Sequence, residues 1–160
     1  PQKYFKNNSQ DHFTHNTSNI MFNYSNLISE IQTIVETLAS SDHTISNAWN
    51  KLKLHIDTIV QDNGKEFLSQ NIEDRITFEN VITKYIPSIL NNYLSIPAHL
   101  RSKESSVFID MTLTQFDNIE KELEKIELAI MQEDIKKMKV FGKFLDHRLG
   151  NNTPDIIKLD

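Results

Sequence analysis

Residues 109–130, IDMTLTQFDNIEKELEKIELAI, carry the most regular hydrophobic pattern of the chain. The apolar side chains recur at steps of three and four residues, at Ile109, Leu113, Phe116, Ile119, Leu123, Ile126 and Ile130. That spacing gives an α-helix one apolar face, while Asp117, Lys121 and Glu124 fall on the opposite face. We therefore predict a long helix that begins near residues 103–106 and ends near Met131.

A second apolar stripe follows directly and predicts a shorter helix from Glu133 to Leu149. Its members are Ile135, Met138, Phe141, Leu145 and Leu149. Gly150 suits the left-handed residue that ends many helices. Residues 133–160 hold six basic and five acidic groups, and residues 102–132 hold three and seven, so we expect the two helices to attract each other across a short turn.

Four lysines cluster on this last predicted helix, at Lys136, Lys137, Lys139 and Lys143. Such a cluster has two interpretations. It is either a solvated surface row or a docking site for an acidic partner.

Upstream, apolar residues from Ile72 to Leu94 predict a third helix, capped by Ser69 or Asn71. Pro87 lies inside this pattern, and because proline lacks a backbone donor we expect a kink near Tyr85. Pro97 ends the segment.

Two tyrosines and a short turn make this stretch a candidate site. Tyr85 and Tyr93 lie eight residues apart and share a face if the helix persists through Pro87. The turn that contains His99 and Arg101 is then a surface for an anionic group. The alternative is a kinked core helix with its tyrosines anchored in the interior.

The first half of the chain predicts two further amphipathic helices. The first runs over residues 19–39 and ends at the break Ser40-Ser41-Asp42, and the second runs from Asp42 or Thr44 to about Gln61. Asp62-Asn63-Gly64 ends the second helix, with Gly64 in the left-handed conformation. Residues 1–17 are a polar N-terminal arm, residues 18–150 the bundle and residues 151–160 a tail. With no competing strand pattern, the fold class is an all-α bundle of about five helices.

Composition excludes several classes of function. With 17 basic and 22 acidic residues among 160, the net charge of -5 disfavours nucleic acid as a partner. The chain has no cysteine, and its three glycines are too few for phosphate-binding loops. No apolar run is long enough to span a membrane and no signal peptide is recognisable, so we expect a cytoplasmic location.

No catalytic or metal-binding motif stands out. None of the six histidines follows a glutamate by three residues, the spacing of carboxylate-bridged metal sites in bundles. His12 and His15 share a spacing that can clamp a metal, but two exposed histidines in the arm are the simpler interpretation. His55 is interpreted as a surface or boundary residue. We therefore assign no catalytic residue, no metal and no cofactor.

Residues 80–149 resemble a group of bacterial helical proteins. The likeness rests on Tyr85-Ile86-Pro87, Tyr93-Leu94 and Ile96-Pro97, followed by Thr114-Gln115 and Phe144-Leu145-Asp146. The group is named for the hydrolysis of 5-bromo-4-chloroindolyl phosphate and is mentioned beside toxic-anion resistance proteins. The resemblance implies a bacterial origin and a helical, non-catalytic module, attached to or working near a membrane in a longer protein.

These observations favour a helical protein–protein interaction or scaffold domain that binds a protein partner or a second copy of itself. Two alternatives stay open. One is a small-ligand sensor with a pocket opened between helices by the kink at Pro87. The other is a hydrolase of a phosphorylated compound, for which Tyr85, Tyr93, His99 and Arg101 are the candidate residues.

Overall fold

The computed structural model describes residues 17–39, 43–103 and 105–150, and side chains for residues 24–38, 43–100 and 107–150. The helices are α1 (Thr17–Ala39), α2 (His43–Ile59), α3 (Asp62–Gln70), α4 (Ile72–Asn80), α5 (Ile86–Leu94), α6 (Ala98–Lys103) and α7 (Ser105–Arg148). A π turn, Val81–Tyr85, joins α4 to α5 in one continuous helix. The described residues contain no strand, which confirms the all-α bundle. Residues 1–16 of the predicted arm and the predicted tail lie outside the described residues.

The core forms where α2 packs between α1 and the first half of α7. The predicted stripe of α2 is confirmed, because Ile45, Trp49, Leu52, Ile56 and Ile59 are all buried. Trp49 is the largest of them, and its indole Nε1 donates a hydrogen bond of 2.7 Å to Oε1 of Gln32 on α1. In the unfolded chain water accepts a hydrogen bond from this indole N–H, and in the buried interior Gln32 replaces it. The need for this hydrogen bond therefore fixes how α1 lies on α2.

Tyr24 adds a second link between α1 and the rest of the bundle. Its ring meets that of Phe78 edge-on, with centroids 6.0 Å apart. Burial raises the pKa of the Tyr24 hydroxyl, and the charge of Glu79 and a hydrogen bond to that carboxylate raise it further. The apolar spacing of α1 did not predict this residue, because its hydroxyl group needs a partner that only the fold supplies.

The irregularity expected near Pro87 is the π turn. The backbone N–H of Ile86 donates to the carbonyl of Val81, five residues earlier. Pro87 itself is buried, and it lies in the first turn of α5, where its missing N–H is tolerated. Tyr93 is buried and Tyr85 is exposed, so the two do not share a face as predicted. Eight residues advance a helix by two turns and about 80°, which leaves Tyr85 outside the core-facing side.

Gly64 does not end α2 in the left-handed conformation, and that prediction is wrong. It lies buried in the first turn of α3, where an added Cβ would meet the carbonyl oxygen of Ile59 at 1.8 Å. Glycine is therefore needed here for the close approach of two backbones. The left-handed glycine is Gly150, with φ 62°, which confirms the predicted end of the last helix.

The predicted turn near residues 131–133 is also wrong, because α7 runs without interruption for 44 residues, about 66 Å. Residues 129–136 contain neither glycine nor proline, so nothing ends the helix there. The apolar residues move instead from one face of the same helix to another. Within the described residues, no helix combines the length and apolarity needed to cross a bilayer.

Candidate functional site

After Lys137, α7 extends past the other helices that the structure describes. Its last contacts with α3 join Nζ of Lys137 to Oε1 of Glu66 at 3.4 Å and Nδ2 of Asn63 to Oδ2 of Asp134 at 3.5 Å. Every side chain from residue 135 to residue 150 is exposed. We call residues 138–150 the overhang, of which the helical part is about 16 Å long.

One face of α7 carries a row of exposed apolar side chains that continues into the overhang. We call it the α7 stripe: Leu128, Met131, Ile135, Met138, Leu145 and Leu149. With Gly142 between Met138 and Leu145, the steps alternate between three and four residues throughout. This is the heptad spacing by which one helix packs along another. The exposed fractions of these side chains run from 36% at Leu145 to 73% at Met138. Residues with the spacing of a helix–helix interface are therefore exposed on the single chain.

Two phenylalanines widen the apolar surface of the overhang. Phe141 and Phe144 stack with ring centroids 6.1 Å apart, and both are more than half exposed. The guanidinium of Arg148 lies 6.0 Å from the centre of the Phe144 ring. Exposed aromatic and apolar groups beside an arginine are typical of the centre of protein interfaces.

Charge is divided along α7. Residues 107–134 hold eight acidic and two basic groups, whereas residues 135–150 hold five basic groups and one acidic group. Of the four predicted lysines, helical spacing places Lys136, Lys139 and Lys143 in one row. Lys137 lies elsewhere and pairs with Glu66. The overhang is therefore a basic helix with an apolar face.

His55 links α2 to α7 through two carboxylates. Its Nε2 lies 3.4 Å from Oε1 of Glu120, and its Nδ1 contacts Oε1 of Glu127. Burial lowers the pKa of His55, but the hydrogen bonds and charges of Glu127 and Glu120 outweigh it, so the net shift is upward. Both carboxylates thus favour the protonated form of the ring. Sequence analysis missed this contact, although a signal exists: Glu120 and Glu127 lie one heptad apart on one face.

Two of these residues, together with Glu124, form a group in the described part of the chain that could hold a metal ion. His55, Glu120 and Glu124 offer ligand atoms that lie within 4.8 Å of one another. A metal ligand must have lost its proton, however, and both nitrogens of this ring face carboxylates that favour the protonated form. The contacts of the ring with Glu120 and Glu127 account for the arrangement, so we assign no metal to it.

The site predicted around Pro87 is not brought together as one surface. Tyr93 is buried in the core, while Tyr85 and His99 are exposed. The backbone of Arg101 belongs to α6, and its side chain lies outside the described part of the chain. A surface depression lies away from these residues, at the junction of α2 and α3, where it is lined by Gln61, Asp62 and Asn63.

Comparison of the chain with protein-family models, with curated proteins and with solved structures finds no match. The resemblance of residues 80–149 to the indolyl phosphate hydrolysis group therefore stays a prediction.

Proposed function

We propose that this chain is a non-catalytic helical interaction module and that the α7 stripe, with the phenylalanine pair of the overhang, is its protein-binding surface. The observation that carries the proposal is the exposure of an entire heptad row, from Leu128 to Leu149, on a helix that extends past its own bundle. A protein partner and a cytoplasmic location belong to the same proposal.

The α7 stripe exposes a large apolar area to water. Each side chain of the stripe leaves about half of its apolar surface in solvent, and its burial would stabilise a complex by about 1–2 kcal/mol. A continuous apolar patch of this kind is unusual on a soluble monomer and is typical of a contact surface. The bundle itself does not need these residues, because its core is closed by the other face of α7, through Phe116, Leu123 and Ile126.

Rigidity strengthens the proposal. The overhang continues a helix that α2, α3 and α5 hold up to about Lys137, so the binding face is presented in a fixed direction. A partner that packs along it meets a helix that is already formed. Less conformational entropy is then lost on binding than with a disordered segment.

The alternatives of a ligand sensor and a hydrolase depend on Tyr85, Tyr93, His99 and Arg101. Because the Tyr93 ring is buried, these residues do not form a common surface that favours either alternative. The interaction module is therefore the function that the geometry supports best.

The test places a photo-crosslinking amino acid at Phe141 in the full chain, expressed in the cells it comes from. The control carries the same amino acid at Leu54, which is 69% exposed on α2 and far along the bundle from the overhang. We expect a discrete adduct of constant mass from position 141 and none from position 54. No adduct from position 141, or the same adducts from both positions, would overturn the proposal.

A further inference from the structure

The partner of the α7 stripe can be inferred from its area, its spacing and its charges. We infer that the stripe binds the same stripe of a second copy of this chain, with the two α7 helices antiparallel. The inference rests on the proposed function and names the partner of that surface.

The first argument is area. The stripe and Phe141 supply seven large apolar side chains at about half exposure, on the order of 700 Å² from each copy. A standard stable interface takes about 800 Å² from each partner. A second copy would therefore cover the stripe with an interface of ordinary size, without any further surface.

The second argument is spacing. An antiparallel pair has a two-fold axis across the helices, so each residue at one end faces a residue at the other end. With the axis midway between Ile135 and Met138, Ile135 faces Met138 of the second copy, and Leu128 faces Leu145 of the second copy. Met131 then faces Gly142, where the missing side chain leaves room for the long one; nothing lies within 4 Å of the Cβ that Gly142 lacks. The stripe thus overlays itself in this register from Leu128 to Leu145, whereas Leu149 faces Glu124 of the second copy.

The third argument is charge. In a parallel pair, residues 135–150, with net charge +4, would lie beside an identical segment. In the antiparallel pair they lie along residues 123–138, which hold four acidic and three basic groups. At the flanking positions, Lys125 then lies beside Asp146 of the second copy, and Arg148 of the second copy lies beside Glu127, the carboxylate that also contacts His55 within the chain. Like charges suppress the parallel arrangement and opposite charges favour the antiparallel one.

The absence of cysteine allows a direct test by disulfide mapping. In the proposed pair, Leu145 lies about 25 Å along the helix axis from Leu145 of the second copy. A disulfide needs Cα atoms about 4.4–6.8 Å apart. Leu145→Cys alone, or Leu128→Cys alone, should therefore give almost no covalent dimer on mild oxidation. An equal mixture of the two full-length variants, one with a size tag, should give at least about ten times more of the mixed dimer.

A second variant pair keeps the test independent of cysteine chemistry. Met138→Asp places a charge at the axis and should raise the dimer dissociation constant about tenfold or more in sedimentation velocity. Leu54→Asp makes the same change at an equally exposed residue outside the stripe, and it should leave the dimer intact. Both residues are exposed, so neither substitution should disturb the fold.

Each other outcome overturns the inference. Covalent dimer from Leu145→Cys alone would show a parallel pair. A chain that stays monomeric at every concentration would show that something else covers the stripe, such as a different protein or the arm or tail of the same chain. In that case an adduct between position 141 and a different protein would still support the proposed function, so the two failures are distinguishable.

Discussion

Phe141 and Phe144 stack on each other with an interplanar angle of 22°, on the part of α7 that extends past the other described helices. Two aromatic rings that pack together in solvent bury part of their own surface but not enough to remove it from water. Their position allows folding and binding to be tested separately. The bundle is stabilised without the two rings, whereas the proposed binding surface includes them.

Replacement of both rings should therefore leave folding unchanged. For Phe141→Ser with Phe144→Ser, we expect a free energy of unfolding within about 0.5 kcal/mol of the unmodified chain at low concentration, since both side chains are exposed. Trp49, the single tryptophan, reports unfolding by fluorescence. Phe78→Ser is the matched control, because this ring is fully buried, and it should cost at least about 3 kcal/mol. Equal losses from the two would show that the overhang is part of the core.

The ion pair of His55 should make stability depend on pH. Because the pKa of His55 is raised above its ordinary value of 6.5, its stabilisation is fully present below that value and is lost as the pH rises through the folded-state pKa. His55→Gln should cost on the order of 1 kcal/mol near pH 5.5 and clearly less near pH 8.5, in urea unfolding. Lys121→Gln removes an exposed pair with Asp117 and should show no such trend. A constant difference between unmodified chain and His55→Gln across this range would contradict the assignment.

The two helical glycines should respond in opposite directions to the same change. At low chain concentration, where no second copy covers α7, Gly142→Ala should stabilise the chain by about 0.5–1 kcal/mol, because the position is helical and open. Gly64→Ala should destabilise it by several times that amount, since its Cβ would overlap the backbone of Ile59. Thermal unfolding measures both. Stabilisation by Gly64→Ala would mean that α2 and α3 do not approach each other as described.

Gln32 should contribute to stability through its hydrogen bond with the buried Trp49 and not through its exposed hydrogen bond with Glu36. Gln32→Ala leaves the buried indole N–H without an acceptor and should cost about 1–3 kcal/mol. Gln32 also donates a hydrogen bond to the exposed Glu36, at 2.9 Å. Glu36→Ala should therefore change the free energy of unfolding by less than about 0.5 kcal/mol, and an equal loss from both variants would assign the effect to the surface contact.

Much of the bundle could be predicted because one face of each helix follows a single period. The core positions of α2 and of the first half of α7, such as Trp49 and Leu123, follow directly from steps of three and four residues. Gly150 and the irregularity before Pro87 could be predicted because each depends on one residue with a special backbone.

The rest depends on contacts that periodicity does not contain. The change of apolar face after Ile130 resembles the end of a helix in sequence, although the backbone continues. Gly64 resembles a helix end as well, and only the distance to Ile59 shows why it is glycine. The contact of His55 with Glu120 joins residues that are 65 positions apart, so it follows from the packing of α2 on α7. For the candidate surface, the stripe from Ile135 to Leu149 was predicted, but Leu128, Met131 and Phe144 were not, and neither was the exposure of any of them.

Hydrogen exchange along α7 tests the central claim most directly, because it needs no substitution. An uncovered helical end opens readily and exchanges its amides quickly, whereas a helix held in an interface is protected. We expect the amides of residues 138–149 to become strongly protected as the chain concentration is raised from low micromolar to several hundred micromolar, while those of α2 stay unchanged. Fast exchange of residues 138–149 at every concentration, with or without a cell extract added, would contradict the claim that this surface binds protein.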